Sequence, residues 1–269
     1  DGLTYAVTGE SAGQLVSVDP SVILGGAAEG GEAEGSDEGH ASEAGAASLA
    51  LPGSVAYEGA DYALASIAPY AFYLSGVTDV TLPASVNDVD DRAFRSSDVA
   101  SVTVAEGNPT YSSFDGALYD ADQLSLLLIP EGKQGTVRIP KTAEVAEASV
   151  FSHCPLVDSI SVDAGSAAFA SENGLLYTSD LTTLLRVPAG ATEITIREGC
   201  TTIAAGAMEA CANLTTINAP ATVTSISPDV FHAIPTVSLP AASVILSEAA
   251  EGGEAEEPNE NQASKVGDQ

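Results

Sequence analysis

The sequence contains no tryptophan, one methionine and three cysteines, and aromatic residues make up 5% of its 269 positions. Only 8 residues are lysine or arginine, against 38 aspartates and glutamates, for a formal net charge of −30. Phosphate backbones are recognised by clustered bases, so the scarcity of bases excludes a nucleic-acid partner. Anionic lipid would be repelled as well, and no apolar run approaches the roughly 18 residues of a membrane helix, so no membrane insertion is expected. Cys154, Cys200 and Cys211 form no CxxC pair. An odd number of cysteines cannot close a complete disulfide framework, and this spacing offers zinc nothing. The chain starts at Asp1 with neither methionine nor an apolar signal segment, which reads as a mature or trimmed piece.

Two stretches have almost no large apolar side chain. Residues 25–47 carry six acids and no lysine or arginine, and residues 247–269 carry seven acids against Lys265 alone. Neither can bury enough apolar surface to offset the entropy of ordering, so the first reads as an acidic disordered loop and the second as an acidic linker or tail. Residues 1–24 read as an N-terminal β cap, with strands over 3–7 and 14–18, and residues 48–246 as the folded body.

Within the body one pattern recurs: apolar-x-x-apolar-x-apolar, often closed by proline. It appears as Val77-x-x-Val80-x-Leu82, Val99-x-x-Val102-x-Val104, Val157-x-x-Ile160-x-Val162, Leu214-x-x-Ile217-x-Ala219 and Ile234-x-x-Val237-x-Leu239. Looser copies lie at Leu49, Val137 and Ile194. The inward position of each copy falls at 49, 80, 102, 137, 160, 194, 217 and 237, so long and short spacings alternate until the end. A fixed recurrence of this kind marks a solenoid, because no single coil can bury its own apolar face.

The long spacings contain a second repeat. GNPTYSSFDGALYDADQLSLLLIP, residues 107–130, aligns without gaps on GSAAFASENGLLYTSDLTTLLRVP, residues 165–188. Asp115-Gly116 and Asn173-Gly174 are turn dipeptides, which predicts a β-hairpin inserted into every second coil. A comparable piece spans Val55 to Leu64, so the repeating unit is one plain coil plus one hairpin-bearing coil. After each strand a pair such as Ala71-Phe72, Ala93-Phe94, Val150-Phe151 or Ala207-Met208 returns the chain, read as a short helical or irregular segment carrying one large side chain inward.

The phrases LPASVNDVDDRAF, HCPLVDSISV and ACANLTTINAPATVTSISPDVF, with the hairpin DGALYDADQLSLLLIP, resemble the BspA-type leucine-rich repeats of bacterial surface proteins over roughly residues 46–240. The chain departs from that pattern in being rich in alanine and poor in leucine, in carrying Met208 for the usual phenylalanine, and in its acidic insertion. The resemblance implies a β-rich leucine-rich-repeat solenoid with a parallel sheet, short helical turns and inserted hairpins. It also implies secretion or display at the cell surface for binding or adhesion, and brings no catalytic residue, cofactor or metal.

The side chains that could carry chemistry point the same way. The turn position of His153 is filled elsewhere by Arg95 or Glu209, the signature of a solvated turn rather than of a general base with a fixed partner. His40 and His232 are equally isolated. Cys154 and Cys211 lie one repeat unit apart, too far for a bridge, while Cys200 and Cys211 could meet within one coil; free buried thiols are favoured. Asn87-Asp88-Val89-Asp90-Asp91 invites calcium but lacks the glycine and distant glutamate of a calcium loop. No enzyme is expected.

What remains is the outward face of the strands. The two positions flanking the first inward residue of each rung give sixteen residues, of which eleven are serine or threonine and none is aromatic. Thr81, Thr103, Arg138, Ser161, Thr195 and Asn218 are the candidate contacts, for an extracellular protein or a glycan. A ladder of small polar residues also suits any exposed sheet, so a structural spacer holding another domain away from the cell is the competing expectation. Tyr119 and Tyr177 in the hairpins are a second candidate contact point, with packing on their own coil as the alternative. In isolation the chain is expected to be a monomer.

Overall fold

The computed structural model describes residues 3–7, 12–18, 47–227 and 245–246. The expected acidic loop, apart from Ala47, lies outside these residues, as do the acidic tail, His40, His232 and the last rung around Val237. The described chain winds as a β-solenoid with two ladders and almost no helix.

The first ladder is the one the apolar repeat predicts. Ser48–Ala50, Asp79–Leu82 and Ser101–Val104 pair in parallel with Leu49, Val80 and Val102 in register. Gly135–Ile139 pairs with Val157–Val162, aligning Val137 with Ile160, and Glu193–Thr195 pairs with Thr216–Asn218, aligning Ile194 with Ile217. Val80, Val102, Val137, Ile160, Ile194 and Ile217 are all at most 4% exposed. Alternation along a strand sends their neighbours outward.

The single continuous parallel sheet expected from eight recurrences does not form. Among the described residues the ladder is broken into groups of three, two and two strands, because each inserted hairpin places its tip where the next rung would pair. The amide of Val102 donates to the carbonyl of Gly116 at 2.9 Å, and that of Ile160 to the carbonyl of Gly174 at 2.8 Å. Asp115 and Gly116 adopt φ of 52° and 79°, and Asn173 and Gly174 54° and 76°, the doubly left-handed turn that a two-residue hairpin requires. Both tips press on the strand beneath, since a Cβ on Gly116 would lie 3.0 Å from Ser101 Oγ and one on Gly174 2.9 Å from Ser159 Oγ.

The return limbs form a second ladder rather than helices. Ser66-Ile67 pairs with Asp88-Val89, and Ser125-Leu126 pairs with Val145-Ala146. Thr183-Leu184 pairs with Thr202-Ile203, which continues to Ser225-Ile226 and Ile245-Leu246. The only helix among the described residues is Ala148–Phe151, four residues without a side-chain cap. Serine, threonine and β-branched residues dominate these limbs, and they suit a strand better than a helical turn. Phe72, Phe94, Phe151 and Met208 do point inward, all at most 2% exposed, and Phe72 stacks on Phe94 with ring centroids 5.0 Å apart.

The hairpins also divide the core. Leu118 packs with the coils before it, whereas its neighbours Ala117 and Tyr119 pack with the coils after it. In the next unit Leu176 faces back, and Leu175 and Tyr177 face forward. A strand that serves two cores is buried on both faces, which explains the unbroken apolar runs Ala117–Tyr119 and Leu175–Tyr177. At the N-terminal end Leu3–Val7 and Ala12–Val18 pair antiparallel, and Ala12–Val18 lies parallel to Ala60–Ile67, itself one arm of a hairpin with Ser54–Tyr57.

Two glycines after the coil-closing prolines are spatial requirements. A Cβ on Gly132 would stand 2.5 Å from the carbonyl oxygen of Asp98, and one on Gly190 2.7 Å from those of Pro155 and Val157. Gly190→Ala is therefore expected to cost about 1–3 kcal/mol by urea unfolding through overpacking. Gly53→Ala, whose Cβ would meet nothing nearer than Pro83 at 4.0 Å, is expected to be neutral or slightly stabilising. Likewise Ile160→Asp, which puts an unpaired carboxylate in the core, is expected to cost about 3–5 kcal/mol, and Ser161→Asp under about 1 kcal/mol; equal shifts in melting temperature would refute the register.

Candidate functional site

The six outward residues arise from three separate strand pairs. Register sets Thr81 beside Thr103, Arg138 beside Ser161 and Thr195 beside Asn218. Thr103, Arg138, Thr195 and Asn218 are exposed, and Thr81 and Ser161 are half-buried. The hairpin tips separate the three pairs, so the face is three short polar patches in line rather than one row of six.

Three of the six, Arg138, Thr195 and Asn218, are engaged by neighbours on the face itself. Arg138 donates to Asp163 Oδ1 at 2.7 Å, and its guanidinium lies over the Phe114 ring, 5.2 Å from the centroid. The hydrogen bond to Asp163 raises its already high pKa further. Asn218 Nδ2 donates to Glu193 Oε1 at 3.1 Å and to Thr195 Oγ1 at 3.4 Å. Other bases are matched to acids in the same manner. Lys133 Nζ sits 3.2 Å from Asp115 Oδ2, Arg197 Nε 2.9 Å from Glu172 Oε2, and Arg92 Nε 3.1 Å from Asp90 Oδ1. With much of the positive charge paired locally, the large acidic excess sets the sign of the surface field.

The histidine and cysteine positions assemble no catalytic group. His153 is exposed, and its Nδ1 lies 2.6 Å from Arg95 Nη1, the side chain at the equivalent turn one unit earlier. Burial and then the Arg95 charge hold the imidazole below its ordinary pKa. A guanidinium in that place opposes the imidazolium that a general base must become. Cys154, its sequence neighbour, points into the core and donates to the carbonyl of Phe151 at 3.2 Å, and burial pushes its thiol up to about 12. Cys211 is pushed to about 12 for the same reason, and Cys200 is raised. All three are free and buried, so the pairing of Cys200 with Cys211 within one coil does not occur.

Tyr119 and Tyr177 are 0% exposed, which removes them as contact points. The Tyr177 hydroxyl accepts a hydrogen bond from the Arg197 amide at 3.3 Å, and burial lifts its pKa to about 12. In the acidic turn, Asp90 accepts from the Arg92 amide and side chain, and the bond to that side chain holds its carboxyl below the usual range. Among the described residues no group of three or more histidine, cysteine, aspartate or glutamate side chains converges.

The N-terminal sheet, outside the repeats, holds a cavity of its own. A hollow of about 430 Å³ opens in the N-terminal sheet, with Tyr5, Tyr57 and Tyr62 in its wall. The signal was present: five of the eight tyrosines lie before residue 75, in a chain otherwise poor in aromatics.

The family model described as the BspA type leucine-rich repeat region matches residues 65–184 and 189–245 in six copies. No curated protein is similar in sequence. Among solved structures, the chain is similar to the pneumococcal vaccine antigen PcpA, with a TM-score of 0.48 and 14% identity over 90% of this chain and 69% of that one. It is also similar to a leucine-rich repeat protein from Bacteroides ovatus, with a TM-score of 0.44 and 15% identity over 91% of this chain and 60% of that one. A leucine-rich repeat protein from Eubacterium ventriosum matches with a TM-score of 0.41 and 18% identity over 74% and 62%. The chain thus spans less than two thirds of the length of the last two.

The thiol environments predict two measurements. A thiol reagent at pH 8 is expected to label none of the three cysteines in the folded protein and all three in guanidinium chloride; a single reactive thiol after unfolding would reveal a disulfide. Because Cys154 and Cys211 keep their protons to about 12 when folded but to only about 8.5 when unfolded, their contribution to stability is complete below about pH 8.5. It is lost as pH rises toward 12, so the urea midpoint should fall across that window.

Proposed function

The chain belongs to the BspA-type leucine-rich repeat family, and from that membership we propose that it is a non-enzymatic binding or adhesion module, secreted or displayed at a bacterial cell surface. Its contact surface in this reading is the outward side of the first ladder, and its partner an extracellular protein or glycan. The observation that carries the reading is the alternation itself: buried Val102, Val137, Ile194 and Ile217 oblige Thr103, Arg138, Thr195 and Asn218 to face solvent on four of the rungs. Several small contacts spread along an axis suit a broad, wet interface better than a pocketed small molecule. The acidic excess favours neutral or basic partners.

A spacer role is the second reading. It is favoured by the internal engagement of Arg138 with Asp163 and of Asn218 with Glu193. Simultaneous replacement Thr103→Lys, Ser161→Lys and Thr195→Lys separates the two. Across an array of matrix proteins and glycans, any partner bound by the natural sequence is expected to bind the triple variant at least tenfold more weakly. Unchanged binding of every partner would remove the ladder as the contact surface and leave the spacer.

A further inference from the structure

We propose that the hollow in the N-terminal sheet binds an alkylammonium group, held against the rings of Tyr5, Tyr57 and Tyr62. This site is separate from the ladder face and does not depend on its role.

The hollow exists because the sheet runs past its core. Leu15 and Leu64 are fully buried in the first core cluster. Two residues back on the same strands stand Gly13 and Tyr62, on the same face, with Tyr5 paired opposite Leu15 and Val55 opposite Tyr62. Gly13 supplies no bulk to fill the space between the tyrosines. Gly13 is not imposed by crowding: a Cβ there would meet the carbonyl oxygens of Ala6 and Ala63 at 3.8 Å and Tyr62 Cβ at 3.9 Å, ordinary contacts.

The chemistry of the lining selects the ligand. None of the described residues around the hollow is charged, and its polar side-chain groups are phenol hydroxyls. Aromatic faces attract cations through their quadrupole. The hairpin tip that joins Tyr57 to Tyr62 carries Glu58 and Asp61, both exposed, in a chain of net charge −30, so the field favours positive charge. Burial raises the Tyr5 pKa, so its ring stands in the wall as a neutral phenol. A saccharide would call for more directed donors and acceptors than this lining presents. The same head group is carried by a free alkylamine and by a lysine side chain of a basic protein.

Calorimetric titration of the full chain tests the assignment, with n-butylammonium as probe, 1-butanol as its neutral counterpart and methyl β-glucoside as the saccharide. Butylammonium is expected to bind at least tenfold tighter than butanol. Tyr57→Leu and Tyr62→Leu are each expected to weaken it fivefold or more, and Gly13→Val, which fills the hollow, to abolish it. Tyr57 is 56% exposed, so its variant keeps the fold and carries the test if Gly13→Val does not. A lysine-rich peptide that binds tighter than butylammonium and loses binding on acetylation identifies a protein source; a weaker peptide identifies a free amine. Equal affinity for butanol, tyrosine-dependent binding of glucoside in place of butylammonium, or no effect of Tyr57→Leu overturns the proposal.

Discussion

A single coil of this chain has no interior, and everything else follows from that constraint. Its one apolar row can leave water only by lying on the rows of the coils before and after, and its strand amides find acceptors only on those same neighbours. Inward side chains such as Val80 and Val102 therefore must keep register as well as polarity, because a slip of one residue would turn the whole row to solvent. The close backbone approach at Gly132 and Gly190 is the same demand met from the other limb, where the chain has to come near enough to hydrogen-bond Val99 and Val157.

The hairpins complicate this scheme productively. Where a tip such as Asp115-Gly116 takes the amide that the next rung would have used, the ladder stops, but the hairpin strand behind it supplies side chains to both cores. Polar groups at the break are satisfied by the tip itself: the Arg138 amide donates to Asp115 Oδ2 at 3.0 Å, and Asn173 Nδ2 donates to the Thr195 carbonyl at 3.2 Å. Aspartate in one unit and asparagine in the next play opposite hydrogen-bonding roles at equivalent places, one accepting and one donating. The outward face inherits the interruption, and so its polar residues stand in separate patches.

Much of this was legible in the residues. Inward positions could be read off because an apolar residue every second place in a four-residue strand has one physical solution, and the hairpins because an aligned turn dipeptide between apolar pairs admits few others. The return strands were less visible. Pairs such as Thr202-Ile203 and Ser225-Ile226 are too short for any periodicity to declare itself, and their pairing is decided by the coil beside them. The breaks in the ladder were hidden for a related reason: they depend on where a hairpin tip lands in space, not on its composition. The tyrosine hollow belongs to no repeat, so no periodicity points to it. Its residues come from four strands, and only the concentration of tyrosines near the N-terminus marks them.

Both ladders are interrupted at the same two places. Among the described residues, no strand pairing joins the segment ending at Val104 to that beginning at Tyr111, or the segment ending at Val162 to that beginning at Phe169. The core clusters change hands at these hairpins too. The molecule is thus built of successive blocks of two coils, each opened by the stretch that starts at Gly107 or Gly165. In the currency of gene duplication, the coin is the block and not the coil. A copied or lost block brings its own wedge and leaves matching surfaces at both joints, whereas a copied or lost single coil would set two hairpins, or none, between cores shaped to receive one.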